Sequence, residues 1–126
     1  TKAEIDQSIK TKADSLNLTV RTTKTAKKNI KAVVKQDAAL KSLLQEVKEA
    51  GYTVKYKFYR SESKKSGYAA RLTKTTGVYL NTEGQANAKY YYKAKLQILD
   101  QDGKLVAETA LRQCRFGVRI WTKGQK

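Results

Sequence analysis

An all-β fold, an antiparallel sandwich of about seven short strands, is what this 126-residue sequence predicts. Three observations carry the prediction. Apolar and polar residues alternate with a period of two over 52–60 and again over 90–99, the mark of strands with one buried face. Turn signals recur at intervals of about 8–15 residues, which suits a sandwich better than a βαβ fold. Eight of the eleven aromatic residues are tyrosines, a type at home on half-buried pleated surfaces. A chain of this length buries roughly two-thirds of its unfolded surface, so one core forms without a metal or a disulfide.

Residues 1–16 read as an amphipathic helix, a linker or the tail of a preceding domain. Ile5, Ile9, Ala13 and Leu16 share one face among Lys, Asp and Gln. From Leu16 the period drops to two, and Leu16, Leu18 and Val20 open a single sandwich domain over 17–126. The cluster over 24–29 is a turn, and Ile30, Ala32 and Val34 form one face of a second strand. Asp37 caps a helical insert over 38–50, where Leu40, Leu43, Leu44 and Val47 recur at helical spacing and Gly51 stops the helix.

In the strand over 52–60, Tyr52, Val54, Tyr56 and Phe58 face inward, and Thr53, Lys55, Lys57 and Tyr59 outward. A polar loop over 61–67 leads to two short strands, 68–75 and 77–80, split near Gly77. A further loop, 81–89, reaches the strand over 90–99. Tyr90, Tyr92, Ala94, Leu96 and Ile98 take its inner face, with Tyr91, Lys93, Lys95 and Gln97 outside. Asp100, Gln101, Asp102 and Gly103 signal a hairpin, because Asp-Gly supplies the positive φ such turns require. The return strand begins at 105–107. The last strand, 115–121, sets Phe116, Val118 and Ile120 inward against Arg115, Arg119 and Trp121.

Composition removes whole classes of chemistry. The sequence has no histidine, so His-based triads, His metal ligands and imidazole switches are excluded. A single cysteine, Cys114, excludes an internal disulfide and a thiolate zinc cluster. Its phase along the last strand reads as a small buried hydrophobe. Asp100 and Asp102 resemble half of a calcium loop, but the turn itself accounts for them, and Glu46 and Glu49 read as helix-surface charges paired with Lys41 or Lys48. No glycine motif cradles a phosphate, so no cofactor is expected, and no apolar run is long enough for membrane insertion. The chain starts at Thr1 and reads as a piece of a longer protein.

The segments EVKEAGYTVKYKFYRS (46–61) and AKYYYKAKLQILDQDGKLVAET (88–109) resemble the third strand and the sixth-to-seventh strand hairpin of bacterial fibronectin type III domains. TKTAKKNIKAVVK (23–35) resembles the turn between their first two strands. The resemblance implies an immunoglobulin-like, fibronectin type III-like sandwich. It further implies a non-catalytic spacer or interaction module in a multidomain bacterial protein, extracellular or on the cell surface, with a cytoplasmic location as the alternative.

In such a sandwich the strands over 52–60 and 90–99 are neighbours, which places Lys55, Lys57, Lys93 and Lys95 on one outer face, extended by Arg115 and Arg119. The net charge of +16 concentrates in this region: residues 51–126 hold 16 of the 27 basic groups and 5 of the 11 acidic ones. Two readings of the face stand. It is a solvated sheet surface guarded by cations, or it contacts an anionic cell-wall or host polymer, or a protein ligand. Nucleic acid is the intracellular alternative, with Tyr91 stacking on a base or a sugar ring. Tyr59 and Trp121 are expected to be exposed beside Tyr91, and Tyr52, Tyr56, Tyr90 and Tyr92 to be core.

Overall fold

The computed structural model describes residues 1–24, 29–85 and 87–121, with only the backbone of Lys24. Two helices form where the apolar stripes demand them: α1 (Lys2–Ser15) and α2 (Ala38–Glu49). In α2 the Asp37 carboxylate accepts from the Leu40 N–H at 2.9 Å, and Leu40, Leu43 and Val47 are buried. The helix ends as a Schellman motif. Gly51, at φ 75°, donates to the Lys48 carbonyl, and Tyr52 donates to that of Val47.

The segment 1–16, expected as a linker or a preceding domain's tail, brings Ile9, Ala13 and Leu16 into the same buried cluster as the strands, while Ile5 remains exposed. Glu46 does not pair with Lys41 or Lys48. It joins α2 to α1, accepting from Ser8 Oγ and pairing with Lys12 Nζ, both at 2.7 Å. Lys2 bridges Asp6 at 2.7 Å and Asp100 at 3.1 Å, and the Tyr52 hydroxyl donates to Asp6 at 2.5 Å.

The strands are β1 (Leu18–Lys24), β2 (Ile30–Val34), β3 (Thr53–Ser61), β4 (Ala69–Lys74), β5 (Val78–Asn81), β6 (Lys89–Leu99), β7 (Leu105–Glu108), β8 (Cys114–Arg115) and β9 (Gly117–Ile120). They form two sheets. One runs β5-β2-β1-β8, antiparallel except for the parallel β1–β8 step. The other runs β4-β3-β6, with β7 and β9 both lying along the far side of β6. The two short strands around Gly77 therefore belong to different sheets. The turn expected over 24–29 falls mostly outside the described residues.

Between the sheets lie Val20, Ala32 and Val34 on one side and Tyr56, Phe58, Tyr92, Ala94, Leu96 and Ile98 on the other, all nearly inaccessible. Alternation in β6 is complete: Tyr90, Tyr92, Ala94, Leu96 and Ile98 are buried, with partly exposed residues between them. The hairpin after β6 is closed by Asp100, whose Oδ1 accepts from the Asp102 and Lys104 N–H groups, both at 2.9 Å. Gly103 supplies the positive φ of 82°. The turn thus accounts for the Asp100 carboxylate. Among the described residues no group of three or more metal-ligating side chains is found.

The last strand departs from the sequence reading. It divides between the sheets: β7 leaves β6, a 3₁₀ turn (Leu111–Gln113) crosses over, β8 joins β1, and β9 returns to β6. The side chains of Phe116, Val118 and Ile120 consequently point to solvent, whereas Cys114 and Trp121 are buried. Gly117 permits the crossing, because a Cβ there would meet the Val20 carbonyl oxygen at 2.6 Å. Trp121, expected to be exposed, packs so closely on Gly84 that a Cβ at Gly84 would lie 2.3 Å from the indole.

The excursion takes backbone partners away from the middle of β6, and side chains replace them. The Leu96 N–H donates to Thr109 Oγ1 at 2.9 Å, and the Ala94 N–H to Cys114 Sγ at 3.4 Å. Thr109→Val keeps the shape of the side chain and strands the Leu96 N–H. It is expected to lower the free energy of unfolding by about 1–3 kcal/mol, measured by urea denaturation, whereas Thr109→Ser stays close to the native value.

Candidate binding face

The outer surface of the β4-β3-β6-β9 sheet is set by register. Along β3 and β6, Lys55 lies opposite Gln97, Lys57 opposite Lys95, and Tyr59 opposite Lys93. The four lysines and Tyr91 thus share one face, as the alternation predicts. Both Lys57 and Lys95 set their ammonium groups over the Tyr59 ring, at 5.9 and 5.8 Å from its centroid, and Lys93 lies 4.9 Å from that of Tyr68. Partial burial pulls the Lys95 pKa down, but the Tyr59 hydroxyl and Glu108, 3.4 Å away, outweigh it and the net shift is upward. Glu108 also accepts from Gln97 Nε2 at 2.5 Å.

Beside β6, strand β9 sets Val118 opposite Tyr91 and Ile120 opposite Lys89. The Phe116 ring meets Tyr91 edge-on, with centroids 5.2 Å apart. Phe116, Val118 and Ile120 are 37%, 39% and 45% exposed. An apolar strip therefore lies beside the Lys89–Tyr92 end of β6, at the end of the cationic row. Alternation along the last strand assigns these residues to the core; Gly117 inside the run was the available signal that the chain changes partners there.

Neither arginine of the last strand extends the lysine face. Arg115 lies on β8 opposite Thr19, beside an open cleft of about 500 Å³ that it lines with Asn17, Thr19, Asp37, Arg112 and Gln113. Arg119 pairs in register with the buried Tyr90 and donates to the Thr22 carbonyl at 3.0 Å, so it ties the sheets together. Both displacements follow from the strand's division between sheets. Cys114 adjoins the same cleft but is buried, and burial pushes its thiol pKa up, the reverse of what a nucleophile requires.

A polar cluster holds the other end of β6. Asn81 donates to the Tyr92 hydroxyl at 2.8 Å and accepts from Arg60 and from the Glu83 N–H, both at 3.0 Å. Burial raises the Tyr92 pKa to about 12. Tyr90, at the start of β6, accepts from the Gln85 N–H at 2.9 Å. This is a tyrosine corner of the kind found in immunoglobulin-like sandwiches.

Two sheets of strands β5, β2, β1, β8 and β4, β3, β6, β7/β9, with a tyrosine corner leading into β6, define a fibronectin type III-like sandwich. The chain is similar to an Fn3-like protein from Clostridium thermocellum, at 16% identity and a TM-score of 0.52, over 86% of this chain and 95% of that one. It also overlaps pectate lyase Pel3 from Pectobacterium carotovorum (11% identity, TM-score 0.49) and pectate lyase PelI from Erwinia chrysanthemi in complex with tetragalacturonic acid (7%, TM-score 0.48). In each lyase it covers 81% of this chain but only 26% and 28% of the lyase. No family model and no curated protein matches the sequence.

Proposed function

We propose that this chain is a non-catalytic interaction module of an extracellular or surface-attached bacterial protein, and that the outer face of the β3–β6 sheet contacts an anionic polymer. The observation that carries this reading is the placement of Lys57 directly opposite Lys95. Like charges facing each other across two strands destabilise a sheet; Glu108, 3.4 Å from Lys95, offsets part of that cost, and Lys93 adds a third cation one step along β6. A local cost of this kind has a use when an anion fills the space between the charges. Cations concentrated on one face also draw a polyanion in from a distance.

The test separates binding from stability by sign. Lys57→Glu faces Lys95 with an opposite charge, so it is expected to leave the unfolding free energy unchanged or raise it by up to about 1 kcal/mol. Its affinity for polyanions is expected to fall at least about tenfold. Titration of inorganic polyphosphate, polygalacturonate and duplex DNA at two salt concentrations reads the effect. Unchanged affinity in a folded variant overturns the proposal. Tighter binding of DNA than of the other two at equal salt moves the reading to the intracellular nucleic-acid alternative.

A further inference from the structure

The outer face carries more than charge, and its second component narrows the ligand. We infer that the polymer it binds is an acidic polysaccharide, lying along β6 and β9 with its anionic groups on Lys57, Lys93 and Lys95 and its sugar C–H surfaces on Phe116, Val118 and Ile120. The inference rests on the anionic-polymer reading above. The lysine row belongs to β3 and β6, and the apolar strip to β9 and the Phe116 just before it; β9 pairs with β6 through four consecutive residues. That pairing covers Lys89–Tyr92, and Lys93 and Lys95 follow directly along β6 with Lys57 beside them on β3, so the apolar and the cationic side chains succeed one another along one sheet face.

The strip is narrow. From Phe116 to Ile120 it extends about 13 Å and is one strand wide. Three half-exposed side chains fall far short of the roughly 800 Å² that each partner contributes to a stable protein interface. A second copy of this chain is disfavoured further by a net charge of +16 meeting its like. A nucleobase stacks on an aromatic face, and the tyrosines of this face already carry ring contacts. Tyr59 is covered by Lys57 and Lys95, Tyr68 by Lys93, and Tyr91 meets Phe116 edge-on. Val118 and Ile120 are aliphatic and suit C–H surfaces. A linear chain of sugar rings with carboxylate or sulfate substituents offers both an apolar flank and a regularly charged edge.

The experiment uses the whole chain, the double variant Val118→Ser/Ile120→Ser and Lys57→Glu, each titrated by calorimetry with polygalacturonate, dextran sulfate and inorganic polyphosphate. The replaced apolar residues are solvent-facing, and a thermal scan verifies that each variant is folded. The double variant is expected to lose about tenfold in affinity for the two polysaccharides and nothing for polyphosphate. Lys57→Glu is expected to weaken all three. If the double variant weakens all three alike, or none, the polysaccharide inference is overturned while the anionic-polymer reading stands on Lys57→Glu. Native protein that binds polyphosphate but neither polysaccharide overturns it too. If the native protein binds none of the probes, both readings fail together.

Discussion

Removal of residues 1–15 is expected to lower the free energy of unfolding by about 3–5 kcal/mol, a large share of what a domain of this size has. Ile9 and Ala13 are fully buried, and Leu43 and Val47 of α2 belong to the same cluster. Burying one isoleucine stabilises by about 1.5–3 kcal/mol, and the deletion also uncovers apolar surface on α2. Gln113 loses two partners as well, because its side-chain amide reaches the carbonyls of Ala13 and Asp14 at 3.1 and 3.0 Å and keeps only that of Leu16 at 2.7 Å. Ile9→Ala isolates the packing contribution at about 2–5 kcal/mol. A shortened chain with an unchanged urea midpoint would show α1 to be an adherent linker, and a folding unit beginning at 17 would then be correct.

The same helix gives the protein a predictable acid response. Lys2 and then Tyr52 hold Asp6 below the usual carboxylate range, and Lys12 and then Ser8 do the same for Glu46. The Lys104 N–H and, less strongly, Lys2 hold Asp100 down. A carboxylate whose folded-state pKa lies below its unfolded one contributes stability that is complete at neutral pH and is lost as pH falls through the folded value. Stability is therefore expected to decline below about pH 4. The decline is expected to be shallower in the chain lacking residues 1–15, which has neither Asp6 nor the partners of Glu46.

Which parts of the molecule are legible in its sequence follows from how many partners each strand has. Strand β6 keeps a single buried face along its whole length and β3 does so through Tyr56 and Phe58, so a period of two reports burial there directly. Tyr56, Phe58, Tyr90, Tyr92 and Leu96 fall where the alternation puts them. The cap at Asp37, the stop at Gly51 and the turn before Gly103 are local, held by atoms a few residues apart, and local chemistry reveals them. The segment after Thr109 serves two sheets in turn. Its inward direction reverses between Cys114 and Trp121, so no single phase describes it. Applying one phase placed Phe116, Val118 and Ile120 in the core and Arg119 and Trp121 on the surface, which inverts all five.

The binding face divides along the same line. Its lysines sit on β3 and β6 and are readable, given the sandwich that makes those strands neighbours. Its apolar strip, on β9 and the Phe116 just before it, is not. Tyr68 escapes notice for another reason: it precedes β4 on a loop residue, and only the three-dimensional course of the chain brings it over Lys93. The Asn81 cluster is equally invisible, since Arg60 and Tyr92 come from different strands and converge on one amide.

Phe58→Ala is expected to lower the free energy of unfolding by about 3–5 kcal/mol. Phe58 is wholly buried at the middle of β3, with the small Ala94 directly opposite on β6 and Leu72 opposite on β4. A large ring beside a small neighbour fills the layer between the sheets, and truncation leaves alanine facing alanine with nothing to close the gap. The ring is also one end of an aromatic chain, 5.7 Å from Tyr79, which lies 5.9 Å from Tyr92. Contacts of that kind add about 0.5–1.5 kcal/mol beyond area alone. A double-mutant cycle of Phe58→Ala with Tyr79→Leu measures this part: a coupling near zero would assign the whole loss to the cavity. Phe58→Leu keeps most of the volume and is expected to lose much less. Because Phe58 points inward between the outward Lys57 and Tyr59, polyanion affinity in the still-folded Phe58→Leu variant is expected to match the native chain. Equal stability of Phe58→Ala and the native protein would mean that the two sheets do not pack on each other at this ring.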